Sequence, residues 1–227
     1  MRQPCGRLLN NGNENFPSTS CRIVDVVALD RDGSIDEYDL LTVIDNAITK
    51  YPFVRVWNLS LGRDTPCVDD RHSPLGSALD ERMKTHDIVF VCAAGNYETT
   101  PLRNWPPDGS IASDEDRICP PADALRGVTV GGIAHLDNRN TCVRQGEPSP
   151  FTRRGPAPSF GIKPEVAYPA GNCDKDGRHT QTGIVSIDSN GNETESVGTS
   201  YATPLASSVM ANLISELTDC PVCGDLQ

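Results

Sequence analysis

Long apolar runs are missing from this sequence: nothing in its 227 residues approaches the ~20 consecutive apolar positions of a membrane-spanning helix. Residues 1–16, MRQPCGRLLNNGNENF, also lack the apolar core of a secretory signal. That points to a cytoplasmic chain, or to a secreted one whose own N-terminus lies upstream. Basic clusters are scarce too. With 20 Lys and Arg against 31 Asp and Glu, a net charge of −11, and Arg153-Arg154 as the densest basic spot, the chain is unsuited to tracking a phosphate backbone. No nucleic-acid or membrane partner is therefore expected. No internal repeat divides the chain, and 227 residues suit one sizeable domain. The nine cysteines cannot all pair internally, and without a signal segment they read as reduced thiols, Cys92 as a small core residue. Cys220-Pro221-Val222-Cys223 has the spacing of redox and zinc sites, but no second such pair exists, so 218–227 reads as a tail.

What is present alternates between two periods. Cys21 to Leu29 is a β-branched run closed by the turn signal Asp32-Gly33, and predicts a strand. Apolar residues at Leu40, Leu41, Val43, Ile44, Ala47 and Ile48 predict a helix over Tyr38 to Lys50. Val54 to Leu61 reads as the next strand, and Ser73 to His86 as a helix capped by Ser73 with Pro74 in its first turn. Asp87 to Ala94 is nearly continuously apolar, as a strand buried on both faces should be, and Gly127 to Ile133 is another short strand. Val197 to Leu217 closes the pattern with a helix carrying Leu205, Val209, Leu213 and Leu217 at intervals of four. The stretches 99–121 and 144–178, rich in Pro and Gly, read as surface loops. Strands alternating with helices imply an α/β architecture around a parallel sheet.

Sites in such sheets gather at the carboxyl ends of strands. Three such ends carry distinctive residues: Asn58-Leu59-Ser60-Leu61-Gly62, Ala93-Ala94-Gly95-Asn96 and Gly198-Thr199-Ser200. A hydroxyl at the start of a helix sits among outward-pointing N–H groups, which suit a developing oxyanion. An amide such as Asn96 can donate a second bond. Pro204 is expected to cost little in the first turn. Taken singly, each motif is an ordinary cap or turn.

Together and in this order they resemble the subtilisin-like serine peptidases, or subtilases. GTSYATP at 198–204 looks like the family's nucleophile motif, VFVCAAGN at 89–96 its oxyanion strand, and NLSLG at 58–62 its substrate-binding strand. PPADALRGVTVGGI at 120–133, and SPFTRRGP followed by GIKPEVAYPAG, match further family segments, so the resemblance spans about residues 21–217. It implies a three-layer parallel-sheet fold and a serine endopeptidase. Ser200 would be the nucleophile, and Asn96 with the Ser200 N–H the oxyanion hole. Ser60, Leu61 and Gly62 would pair with an extended polypeptide substrate, and Ala93, Ala94 and Gly95 would wall its first specificity pocket. In a subtilisin, removing such an Asn costs about 3–4 kcal/mol of transition-state stabilisation.

The same resemblance exposes a gap. The family supplies an Asp and then a His ahead of the Ser, the His just before the strand that Cys21 opens, yet residues 1–20 contain neither. Asp30 comes too late in that order. His72, His86, His135 and His179 read as surface residues, with His72 nearest the cleft. The expectation is a partial catalytic domain lacking its N-terminal strands, with 1–20 a degenerate or disordered remnant. Such a chain would be inactive alone, with the absent segment or another chain covering an exposed sheet edge. A peptide-binding pseudo-peptidase is the alternative. An α/β-hydrolase is excluded, since Ala202 replaces the second Gly of GxSxG and no His follows Ser200. No cofactor is implied. The family resemblance admits calcium, but the faint loop openings at Asp30-Arg31-Asp32-Gly33 and Asp174-Lys175-Asp176-Gly177 lack the downstream Glu and read as turns. Of two glycosylation sequons, Asn58 and Asn192, the first falls in a strand expected to be buried.

Overall fold

The computed structural model describes residues 21–63, 65–68, 70–107, 114–188 and 190–218. The expectations for 1–20 and for Cys220 and Cys223 lie outside these residues. The first helix, α1 (Glu37–Lys50), starts where Asp36 accepts the Asp39 N–H at 2.9 Å and buries Leu40, Ile44, Ala47 and Ile48 along one stripe. Next come β1 (Val56–Leu59), α2 (Pro74–Thr85), β2 (Val89–Ala93) and β3 (Val128–Ile133). Ser73 caps α2, accepting the Gly76 N–H at 2.8 Å, with Pro74 at its first position.

Strands β1, β2, β3 and β4 (Val166–Pro169) lie side by side in that order, every pair parallel. Helices α1 and α2 cover one face, where Leu40, Ile44, Leu75 and Leu79 pack with Leu59, Phe90 and Cys92. The last helix, α3 (Thr199–Thr218), crosses the other face against all four strands, packing Ala202 and Ala206 with Val91, Val130, Tyr97 and Phe151. Three layers result. Phe90 and Leu79 are wholly buried between sheet and helices, each contributing about 1.5–3 kcal/mol from burial.

Several expectations are corrected. Cys21 to Leu29 forms no strand: Val24, Val26 and Ala28 alternate with exposed Asp25, Val27 and Leu29 at strand pitch, but no neighbour among the described residues pairs with the run. Asn58, expected to be buried, is exposed because β1 is an edge strand within this sheet. The 144–178 stretch is no mere surface loop: it contains β4 and the buried Phe151, Ala170, Asn172 and Cys173. An antiparallel hairpin, β5 (Ile184–Ile187) and β6 (Glu193–Ser196), also lacked a strong sequence signal. On α3, Leu213 and Leu217 are exposed, because a row of i+4 steps drifts about 40° per step around a helix of 3.6 residues per turn.

Candidate active site

The carboxyl ends of β1 and β2 and the start of α3 converge on one place. Gly198, at φ +147°, turns the chain from β6 into α3, and its N–H bonds to the Ala170 carbonyl at 2.9 Å. That positive φ favours glycine, and an ideal Cβ there would lie a tight 3.3 Å from Asn96 Nδ2. Asn96 Oδ1 accepts the Thr199 N–H at 2.9 Å and the Thr199 hydroxyl at 3.2 Å. The cap of α3 is thus a side chain from another strand end rather than Thr199 or Ser200. With Oδ1 held inward, the Asn96 Nδ2 donor is left facing the turn that carries Ser200.

Two reciprocal bonds tie Ser200 to the end of β1. The Ser200 hydroxyl donates to the Ser60 carbonyl at 3.3 Å, and the Ser60 hydroxyl donates to the Ser200 carbonyl at 3.1 Å. The second bond follows from Pro204. As the sixth residue of α3, Pro204 lies beyond the unpaired first turn, and it has no N–H for the Ser200 carbonyl four residues earlier. Its cost was therefore underestimated from sequence, and Ser60 offsets it.

A cavity of about 170 Å³ opens beside these groups, lined by Ser60, Leu61, Gly62, Ala93, Gly95, Asn96 and Ser200. Seven of the eight residues singled out from sequence are thereby brought together. Ala94 is the exception: it is fully buried beside Ile118 and Ala122, its N–H on the Val130 carbonyl and its own carbonyl taking the Cys119 N–H. Arg63, Glu98, Cys119 and Arg153 complete the lining without having been singled out for the site from sequence, together with Thr199, which was noted only as part of the motif around Ser200. Arg153, read from sequence as half of the densest basic spot, is only 8% exposed. Its Nε donates to the Asn96 carbonyl at 2.9 Å, and its Nη1 to the carbonyls of Glu115 and Arg117. Backbone bonds from Tyr97 to Phe151 and from Arg153 to Gly95 complete a short antiparallel clamp that fixes Asn96. Gly95, at φ +97°, would place a Cβ 2.8 Å from Arg153 Cδ. That close approach was the available signal.

No histidine lines this cavity among the described residues. His72, the one nearest the cleft by sequence, is half-buried with Nδ1 3.0 Å from the Asp123 carbonyl, at the start of α2. His179 Nε2 lies 3.1 Å from the Glu195 carbonyl, and burial pushes the half-buried His135 down. Only His86 is the exposed residue expected of all four. Thiol chemistry is also disfavoured at the buried cysteines: burial pushes Cys92 and Cys173 up to about 12, and Cys67 higher still. The two faint calcium-loop openings use their carboxylates internally, Asp30 accepting the N–H groups of Asp32 and Ser34, and Asp174 those of Asp176 and Arg178. Among the described residues, no three of His, Cys, Asp and Glu stand together as a metal site.

A parallel sheet flanked by helices on both faces, with a serine at a helix start and an asparagine amide beside it, is an α/β architecture of the subtilisin-like kind. The chain belongs to the subtilase family, whose model matches residues 9–221. Solved structures similar to it include a cold-adapted subtilisin-like serine proteinase (22% identical over 88% of this chain and 55% of that one, TM-score 0.57). The patellamide maturation protease PatA is another (22%, 84% and 54%, TM-score 0.56), as is the prenylagaramide maturation protease PagA (20%, 82% and 52%, TM-score 0.53). An uncharacterised protein, y4bN of Sinorhizobium fredii, is 27% identical over 135 residues, 49% of this chain and 30% of that protein. The chain thus spans little more than half the length of the solved structures and less than a third of that relative.

Proposed function

We propose that this chain carries the nucleophile half of a serine endopeptidase site, with Ser200 attacking a peptide carbonyl and Asn96 Nδ2 and the Ser200 N–H receiving the oxyanion. The supporting observation is Asn96 itself: its Oδ1 is held by Thr199 at 2.9 Å, which orients the opposite end of the amide toward the Ser200 turn. The backbone of Ser60, Leu61 and Gly62 would hold an extended substrate, with Ala93 and Gly95 facing its side chain. A serine hydroxyl needs a base, and the base needs a carboxylate to orient it. Neither is at Ser200 among the described residues, so both would come from elsewhere, and the chain by itself would retain at most residual catalysis.

That same observation favours a second reading, a pseudo-peptidase that binds extended peptides without cutting them. The two part on the fate of the peptide. Incubated with an internally quenched peptide library and added imidazole, a nucleophile half yields cleavage fragments by mass spectrometry that vanish in Ser200→Ala. Saturable binding with every peptide recovered intact would instead establish the pseudo-peptidase.

A further inference from the structure

Cys142 and Cys173, distant in sequence, meet where the loop after β3 passes the end of β4. The Cys142 N–H donates to the Cys173 carbonyl at 2.9 Å. In a hydrogen-bonded strand pair such a contact sets the two Cα atoms about 5.5 Å apart. That lies inside the roughly 4.4–6.8 Å that a disulfide spans. Both side chains join one apolar cluster, Cys173 buried in it and Cys142 packed against it. Their sulfurs are near enough for charge on Cys142 to push the Cys173 thiol up.

The backbone on either side is already fixed. Asn172, wholly buried, accepts the Cys173 N–H on Oδ1 at 2.9 Å, and its Nδ2 donates to the Leu136 and Val143 carbonyls at 3.0 and 2.8 Å. Bridging the two cysteines therefore asks little movement of the chain. Access is unequal. Cys173 is wholly buried, whereas Cys142 is half-buried and stands on the wall of an open hollow of about 370 Å³ with Asn140 and Lys175. A reagent in solution reaches Cys142 first, and Cys173 only through it.

We propose that Cys142 and Cys173 form a reversible disulfide by exchange with a small-molecule disulfide such as oxidised glutathione. The Cys142 thiolate attacks one sulfur of the reagent, whose S–S bond breaks and releases a first thiolate. Cys173 gives its proton to water and attacks the Cys142 sulfur of the mixed disulfide, and the second reagent thiolate leaves. Each leaving thiolate takes up a proton, so two protein thiols become one cystine and one disulfide becomes two thiols. Burial pushes the Cys142 thiol up, against the pull of the Lys175 ammonium, and Cys173 up to about 12. Exchange is therefore slow at neutral pH and quickens as pH rises.

The bond would close a loop holding β4 and Arg153, the residue that clamps Asn96. It would also pin the chain just beyond Ala170, whose carbonyl takes the Gly198 N–H before Ser200. The proposal goes beyond the peptidase reading and does not depend on any chemistry at Ser200.

The test incubates the full chain with oxidised glutathione at pH 8 and maps its peptides without reduction. A peptide pair joined through Cys142 and Cys173, two hydrogens lighter than its reduced parts, is expected. Its rate of appearance should fall about ten-fold at pH 7, as the thiolate fraction does. The thermal midpoint should rise by about 4–10 °C, return with dithiothreitol, and stay unmoved in Cys142→Ala. A glutathione adduct that persists on Cys142, or cystines at other positions with Cys173 still free, would overturn the proposal. So would the same rise in midpoint in Cys142→Ala.

Discussion

Asn96 Oδ1 takes two donors from Thr199 while its Nδ2 faces the turn of Ser200, so one side chain both caps a helix and presents a donor to that turn. The two roles separate in Asn96→Asp, which keeps an acceptor for the Thr199 N–H but has no amide donor. Its thermal unfolding midpoint should stay close to that of the parent, while imidazole-assisted acylation of Ser200 falls by roughly 10²–10³, a size established in a subtilisin rather than derived from this geometry. A loss of stability without loss of acylation would assign Asn96 to capping alone. Ser60→Ala tests the opposite link. It strands the Ser200 carbonyl that Pro204 cannot pair, and should cost about 1–3 kcal/mol in urea unfolding. Restoring an N–H with Pro204→Ala should recover most of that loss. Ser200, Asn96 and their glycines were legible in the sequence because turn chemistry demands particular residue types. Arg153 was not, because a charged pair looks like surface unless the carbonyls that satisfy it are already in place.

At the scale of elements, the helices were read best, because a 3.6-residue apolar period belongs to the segment itself: α1 and α2 fall within two residues of their expected limits. A strand belongs to its partners. The run at 21–29 has the right pattern and no ladder among the described residues, whereas β4 has a weak pattern and gains its ladder from β3, more than thirty residues earlier, and β5 and β6 gain theirs from each other. The β5–β6 hairpin is anchored by Glu195, whose carboxylate accepts the N–H groups of Gln181, Thr182 and Gly183. Burial pushes that carboxyl up, but the three backbone donors together outweigh it and hold it below the usual range. A depressed carboxylate contributes stability above its unfolded value of ~4.3, and loses it as pH falls through the lower folded value. Glu195→Gln should therefore unfold about 1–3 kcal/mol more easily than the parent at pH 7, and the gap should close as pH falls toward 3. A gap that persists unchanged at pH 3, by denaturant titration, would show that the carboxylate's charge plays no part.

For the whole molecule, a sheet packed between two helical layers places Ser200 and Asn96 without depending on where a base comes from. The fold class and the order of the motifs were available from sequence. The edge position of β1 among the described residues was anticipated only through a family resemblance. The central claim is the proposed one, that Ser200 and its oxyanion donors stand ready and need a base and its orienting carboxylate from elsewhere. It is tested most directly by the rate at which a fluorophosphonate acylates Ser200, followed by intact mass and peptide mapping over a series of imidazole concentrations at pH 7–8, where imidazole is mostly neutral. Labelling at Ser200 should be very slow without imidazole, rise in proportion to it, and disappear in Ser200→Ala. Rapid labelling without imidazole would reveal a base already in place. No labelling at any concentration would show that the serine and its oxyanion hole are not a working site.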